Sequence, residues 1–312
     1  MPRRDDLLLE TLVPLSADPI MLATWSSGQT ALAAAWDDLA NGGSALDAVV
    51  SGCRFAEADL TNQTVGVGGL PDRDGRVSLD AAVMLSPARS GAVCAVRRAL
   101  YPISVARQVM EQTPHNLLAG GDADHFAVEQ GMQTGELLTS AAKKQWEQWR
   151  SSEASSNPIA NIEEIRAENH DTIGVLALDR QGTVAAGCST SGLSWKLPGR
   201  VGDSPIIGQG LYTDPALGAC VCTGHGELVA GICGAFLAIE ILRRGGSPED
   251  ACAEVMNRLT KSYRLHEQDQ VGMIVLARSG KFATASLRPG YKTAIRTADR
   301  EEIIEPGLVV YK

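Results

Sequence analysis

Aromatic residues are scarce in this chain. Phe, Trp and Tyr make up 4% of 312 residues, so a core has to be built from Ala, Val, Leu and Ile. No apolar run reaches the ~18 residues of a membrane-spanning helix. The start, Met1-Pro2-Arg3-Arg4-Asp5-Asp6 and then Leu7-Leu8-Leu9-Glu10, has no uninterrupted apolar stretch of the secretory type. Excess positive charge is absent too. A net charge of −9 argues against nucleic acid and against an anionic membrane surface as partners. The seven cysteines include no Cys-x-x-Cys. Cys220 and Cys222 share one face of a strand, but no second cluster completes a zinc set. Buried thiols in a reducing cytoplasm are the expectation. The five histidines show no metal spacing, and no metal is expected. Gly-x-Gly-x-x-Gly is missing as well. Gly224-His225-Gly226 leads to Val229, and Gly66-Val67-Gly68 leads to Pro71, so neither stretch completes the fingerprint and no dinucleotide site is expected.

Glycine is abundant, at 32 residues, and punctuates helices and strands. Residues 29–39 read as a helix stopped by Asn41-Gly42-Gly43, and Ser44-Ala45-Leu46-Asp47 restarts one as a capping box. The second half repeats the design. Residues 228–244 read as one long apolar helix ended by Gly245-Gly246, and Ser247-Pro248-Glu249-Asp250 starts the next. Short strands are expected at 22–24, 77–84, 172–178, 183–189, 219–222 and 272–277. Two helix layers around stacked sheets is the economical arrangement of these parts, in a single domain. Between about 134 and 169 the chain turns charged and serine-rich, which reads as a solvated linker.

That segment runs into His170-Asp171-Thr172, followed by the apolar strand Ile173-Gly174-Val175-Leu176-Ala177-Leu178. A threonine hydroxyl is a poor nucleophile unless a base takes its proton. Scission between Asp171 and Thr172 would give the threonine its own base, an α-amine with a reference pKa of about 8. The strands on either side of Asp179-Arg180-Gln181-Gly182 read as a hairpin, which sets Thr172 opposite Ser189 or Thr190. Two hydroxyls at the open end of a hairpin are able to hydrogen-bond, although polar residues simply ending two strands are commoner.

Two further stretches offer chemistry. The loop Lys196-Leu197-Pro198-Gly199-Arg200-Val201-Gly202-Asp203-Ser204-Pro205 presents Arg200 and Asp203, suited to the carboxylate and ammonium of an amino acid. A surface ion pair between the two is the plainer alternative. The strand from Gly218 runs into Thr223-Gly224-His225-Gly226, where backbone N–H groups and the Thr223 hydroxyl are able to meet an oxyanion. His170 and His225 flank this chemistry.

His170-Asp171-Thr172-Ile173-Gly174, Gly199-Arg200-Val201-Gly202-Asp203-Ser204-Pro205-Ile206 and Thr223-Gly224 together resemble the glycosylasparaginase family. It belongs to the N-terminal-nucleophile hydrolases of the type-2 asparaginase group. Thr24-Trp25, the 42–49 stretch, Val105-Ala106-Arg107 and Thr113-Pro114-His115 extend the resemblance over most of the chain. The resemblance implies a four-layer αββα sandwich of the α+β class and self-cleavage into 1–171 and 172–312, with Asp171, Thr172 and His170 at the cleavage point. It makes Thr172 the nucleophile, Thr190 the threonine orienting its amine, and Thr223 with Gly224 the oxyanion hole. Arg200 and Asp203 become the clamp on the substrate's α-groups, and Trp25 the aromatic lining the pocket. The implied substrate is a small asparagine derivative, N-acetylglucosaminyl-asparagine first, with no cofactor, and the implied assembly is a homodimer of cleaved αβ units. A β-aspartyl peptidase or L-asparaginase using the same site is the nearest rival. An uncleaved, non-catalytic homologue is the rival of another class.

Overall fold

A computed structural model describes residues 17–152 and 172–312. Two sheets stack face to face between helices. The larger sheet has eight strands in the order β12 (Glu301–Ile304), β11 (Thr293–Arg296), β1 (Ile20–Thr24), β5 (Ile173–Leu178), β6 (Val184–Thr190), β2 (Leu79–Ser86), β3 (Arg89–Val96) and β4 (Leu117–Ala119). The smaller runs β13 (Leu308–Val309), β10 (Phe282–Ser286), β9 (Val271–Ala277), β8 (Gly218–Gly224) and β7 (Leu211–Asp214). On the outer face of the large sheet lie α1 (Gly28–Ala40), α2 (Ala45–Ala58) and α3 (Pro102–Gln112), with α4 (Gly120–Glu129) beyond them. Three helices follow β8: α6 (Gly226–Ile232), α7 (Gly234–Arg243) and α8 (Pro248–Ser262). Of these, α7 and α8 cover the small sheet.

Side-chain alternation along the central strands explains the layers. Ile173, Val175 and Ala177 of β5 join Leu32, Val49 and Ile103 in the outer core. Leu176 and Leu178 point the other way and meet Val221, Ile274 and Leu276 of the small sheet. A third core binds Cys222 and Met273 to Ala238, Ile239 and Val255 of the covering helices. Three apolar seams between four layers make an αββα sandwich, as the sequence led us to expect. The sheets approach closely at Gly174, where a Cβ would sit 3.1 Å from Val221 Cβ.

Local expectations mostly hold, with instructive departures. Ser44 caps α2 by accepting from the Asp47 N–H at 3.1 Å, but its hydroxyl bonds to the Asp47 carboxylate, so the reciprocal half of a capping box is missing. Ser247 and Asp250 form the full box at α8, with Pro248 in the first turn. The long helix expected at 228–244 is broken. Cys233 takes a left-handed φ of 51° and separates α6 from α7. The presumed linker also contains a helix, α5 (Ser140–Arg150), capped by Thr139. It docks through Trp146, whose Nε1 donates to the Arg73 carbonyl at 3.2 Å, and through Trp149, stacked on Trp195 at 5.1 Å. Two tryptophans one turn apart are what hold this otherwise polar helix down. His170 and Asp171 fall outside the described residues.

Candidate active site

The hairpin register pairs Ile173 with Ser189, and carrying it one residue further sets Thr172 opposite Thr190. On the next strand Thr190 pairs with Asp80, so Thr172, Thr190 and Asp80 form a cross-strand row. Outer-core residues Ile173 and Ala81 alternate with this row, which therefore faces the small sheet. β8 ends opposite it, with Thr223 and Gly224.

Thr172 is buried and held from three sides. Its carbonyl accepts from Thr24 Oγ1 at 2.5 Å, and that same hydroxyl accepts the Gly174 N–H at 2.8 Å. Its N–H donates to Thr223 Oγ1 at 3.2 Å. Its hydroxyl lies 3.1 Å from Ser204 Oγ. The expected hydroxyl pair with Thr190 is not the bond formed. Thr190 Oγ1 instead accepts the Gly192 N–H at 2.9 Å and donates to the Thr64 carbonyl at 3.4 Å, because the turn after β6 closes back on its own strand end. Thr190 still lines the same cleft, together with Thr172, Gly192, Arg200, Asp203, Ser204 and Gly224.

Thr223 Oγ1 accepts twice, from Trp25 Nε1 at 2.9 Å and from the Thr172 N–H at 3.2 Å, and the Thr223 hydroxyl donates its own proton to the Thr172 carbonyl 3.4 Å away. Trp25 adopts a left-handed φ of 63° and packs edge-on against Tyr291. Its contact with the site is thus the indole N–H behind Thr223. Gly224 has φ +105°, and a Cβ there would fall 2.3 Å from the Gln270 carbonyl. Only glycine fits this backbone.

The structure brings Arg200 and Asp203 together around Gly226, whose missing Cβ would meet Asp203 Oδ1 at 2.7 Å and Arg200 Nη2 at 3.2 Å. Arg200 turns its fork to a third residue. Arg200 gives its Nε and Nη2 to both oxygens of Glu227, at 2.8 Å each. Nη1 stays on the side of Gly192 and Gly202. Burial works against the Glu227 charge, but the Arg200 fork outweighs it and holds the carboxyl down at about 2. Asp203 is buried with Oδ2 lacking a hydrogen-bond partner. Burial pushes its carboxyl up to about 7, against the opposing pull of Arg200. A buried carboxylate oxygen of this kind is able to accept from a cationic donor. His225 caps α6 next to this pair, its Nδ1 3.0 Å from Asp269 Oδ1 and its Nε2 3.5 Å from Glu227.

Sequence reasoning passed over Thr24, Ser204, Glu227 and Lys196. Ser204 had a signal, since it follows Asp203 in the same loop. Glu227 stands in the first turn after the glycine-rich break. Thr24 and Lys196 act across 148 and 118 residues of chain, a distance no local pattern reveals. Among the described residues no group of three His, Cys, Asp or Glu is placed to hold a metal ion. A second cleft, lined by Arg73, Asp74, Arg76, Trp149 and Arg150, presents no hydroxyl, thiol or imidazole.

Residues 21–304 match the family model described as Asparaginase. The chain belongs to this asparaginase family. Its fold is that of the N-terminal-nucleophile hydrolases. Among curated relatives, an N(4)-(β-N-acetylglucosaminyl)-L-asparaginase of Elizabethkingia miricola is 42% identical over 308 residues, covering 97% of this chain and 89% of the relative. Proteins of the same name from Rattus norvegicus and Mus musculus are each 38% identical. They cover 78% and 82% of this chain and 78% and 83% of their own lengths.

Proposed function

We propose that this asparaginase-family amidohydrolase works through Thr172, freed as a chain terminus by scission after Asp171, and cleaves the side-chain amide of N4-glycosylated asparagine. The observation carrying the reading is the meeting, within 3.2 Å, of the Thr172 hydroxyl with Ser204 and of its nitrogen with Thr223, beside a buried carboxylate and a guanidinium. In the unbroken chain that nitrogen is a peptide amide and cannot serve as a base. Maturation removes the block: the Thr172 oxygen attacks the Asp171 carbonyl carbon, the C–N bond breaks to leave an ester, and water hydrolyses it. The products are 1–171, ending in a carboxylate, and 172–312, beginning with an amine.

In catalysis the same oxygen attacks the substrate's amide carbon while the Thr172 amine takes the hydroxyl proton, later returning it to the leaving nitrogen. The Thr223 hydroxyl, turned from the Thr172 carbonyl, and the Gly224 N–H serve as the donors to the developing oxyanion, where one such donor contributes about 3–4 kcal/mol. Asp203 receives the α-ammonium, and Arg200 Nη1 the α-carboxylate. Water then releases aspartate and resets the threonine. The assembly we propose is a homodimer of cleaved αβ units. Seven free thiols, six of them buried, support a cytoplasmic setting. Side-by-side hydrolysis of N-acetylglucosaminyl-asparagine, β-aspartyl dipeptides and free asparagine tests the reading. The glycosylated substrate is expected to have the highest kcat/KM, and its being the poorest of the three would shift the assignment to the peptidase or asparaginase branch.

A further inference from the structure

Lys196 is a buried lysine beside the cleft that the mechanism above leaves unused. It is 4% exposed, and its Nζ donates to the Ser191 carbonyl at 2.8 Å and the Ser78 carbonyl at 3.2 Å. Those two carbonyls belong to the turn after β6 and the approach to β2. The Ser191 N–H in turn donates to the Thr64 carbonyl at 2.7 Å, the same oxygen that receives the Thr190 hydroxyl. Gly192, next along, gives its N–H to Thr190 Oγ1. The orientation of Thr190 toward Thr172 therefore depends on a turn whose anchor is an amine. A Cβ at Gly192 would fall 2.8 Å from Lys196 Nζ and 3.2 Å from Arg200 Nη1, so both cations flank one glycine of the cleft wall. Asp80, in the row with Thr172 and Thr190, is buried, with one oxygen on the Ala95 N–H and the other unpartnered.

We propose that Lys196 is a positioning residue for the reaction: it clamps the 190–192 turn that presents Thr190 to Thr172, and its charge, set behind that turn, favours the unprotonated form of the Thr172 amine. The inference rests on the proposed role of Thr172. The charged groups facing Lys196 are Asp80 on β2, Asp72 in the 72–76 turn, Arg97 beyond β3 and Arg200 in the loop. Those around the cleft are Arg200, Asp203 and Glu227. Burial lowers the Lys196 pKa, with Asp80 opposing, and burial raises that of Asp80, with Lys196 opposing. A base near a cation loses its proton more easily, so the acid limb of the pH profile, where the amine must be neutral, lies lower with Lys196 than without it.

Two variants of the full chain test this with N-acetylglucosaminyl-asparagine as substrate, after intact mass has established scission. Lys196→Met keeps the length and removes both hydrogen bonds and the charge. Its kcat should fall about tenfold or more through misalignment while KM stays near native, because Arg200 and Asp203 are untouched. Its acid limb should move up by about one pH unit. The double variant Lys196→Met/Asp80→Asn removes both charges, so no unpaired carboxylate stays buried, and this guards against a folding failure of the single variant. Its kcat should stay low while its acid limb returns to the native position. Loss of scission in a variant with native circular dichroism counts as the expected misalignment, since the same oxygen performs it. Native kcat in either variant, or an unmoved acid limb in Lys196→Met, overturns the role of Lys196. Such a result would leave Thr172 in place as long as the native chain yields the terminus T-I-G-V, and absence of that terminus in active native protein would instead overturn the reading on which the inference rests.

Discussion

Replacing Asp203 by asparagine should make the protein more stable and much less active. The carboxyl is 2% exposed, and burial raises it from 3.8 to about 7. The sign follows from linkage. A group whose folded value is raised contributes stability that is present below 3.8 and lost as pH rises through 7. The full difference corresponds to about 4 kcal/mol at alkaline pH. Asparagine has the same shape and never ionises, but its amide hydrogens need an acceptor where Oδ2 had none. A net gain of about 2 kcal/mol at pH 8 is the expected balance. The measurement is urea unfolding at pH 8 and pH 5, in a Thr172→Ala background that keeps both proteins unbroken. The gain should be present at pH 8 and shrink toward nothing at pH 5. Equal stability at pH 8, or a gain of the same size at both pH values, would refute the argument that Asp203 carries a stored cost. In the active background the same change removes the partner of the substrate ammonium, and kcat/KM should drop by about a hundredfold.

Arg200→Ala should abolish the preference for substrates with a free α-carboxylate over their α-amides, read from kcat/KM for each, while kcat on the amides changes little. Gly224→Ala forces a Cβ against the Gln270 carbonyl at φ +105° and should cost about 3 kcal/mol or more in urea unfolding. Gly199→Ala, at φ +89° with nothing within 4 Å, should cost only about 1 kcal/mol. Glu57, pushed up to about 8 by burial, accepts from Ser189 Oγ at 2.6 Å and the Ile103 N–H at 2.9 Å, and a glutamine carbonyl is able to accept both. Glu57→Gln should therefore match native stability at about pH 4 and exceed it increasingly up to about pH 8, because the native contribution is lost as pH rises from 4.5 to about 8.

The parts of this molecule that were legible in its sequence are those whose cause is local. The hairpin at 179–182 announces itself by two apolar runs and a polar turn, and it sets the Thr172 register. Ser44 and Ser247 mark helix starts because their hydroxyls meet an N–H three residues on. What was not legible has a non-local cause. β3 is built from small residues, Ser90, Gly91 and Ala92 among them, and is a strand because β2 pairs with it. α5 reads as polar, and it is held by Trp146 and Trp149 against partners more than forty residues away in sequence. The left-handed break at Cys233 leaves no trace in an apolar pattern. In the site, the residues with their own motif were readable, while Glu227, which occupies the Arg200 fork, and Lys196, which anchors the turn, required the tertiary structure. The Arg200 geometry shows the limit most clearly: the loop motif singles out the arginine, but not Glu227, whose carboxylate its fork meets.

Sequencing from the amino terminus of purified, active protein tests the central claim most directly. The account predicts two termini, one of them reading T-I-G-V, and two bands on a denaturing gel in place of one at 32.9 kDa. Full activity in a preparation that runs as the single unbroken chain and yields no such terminus would contradict it.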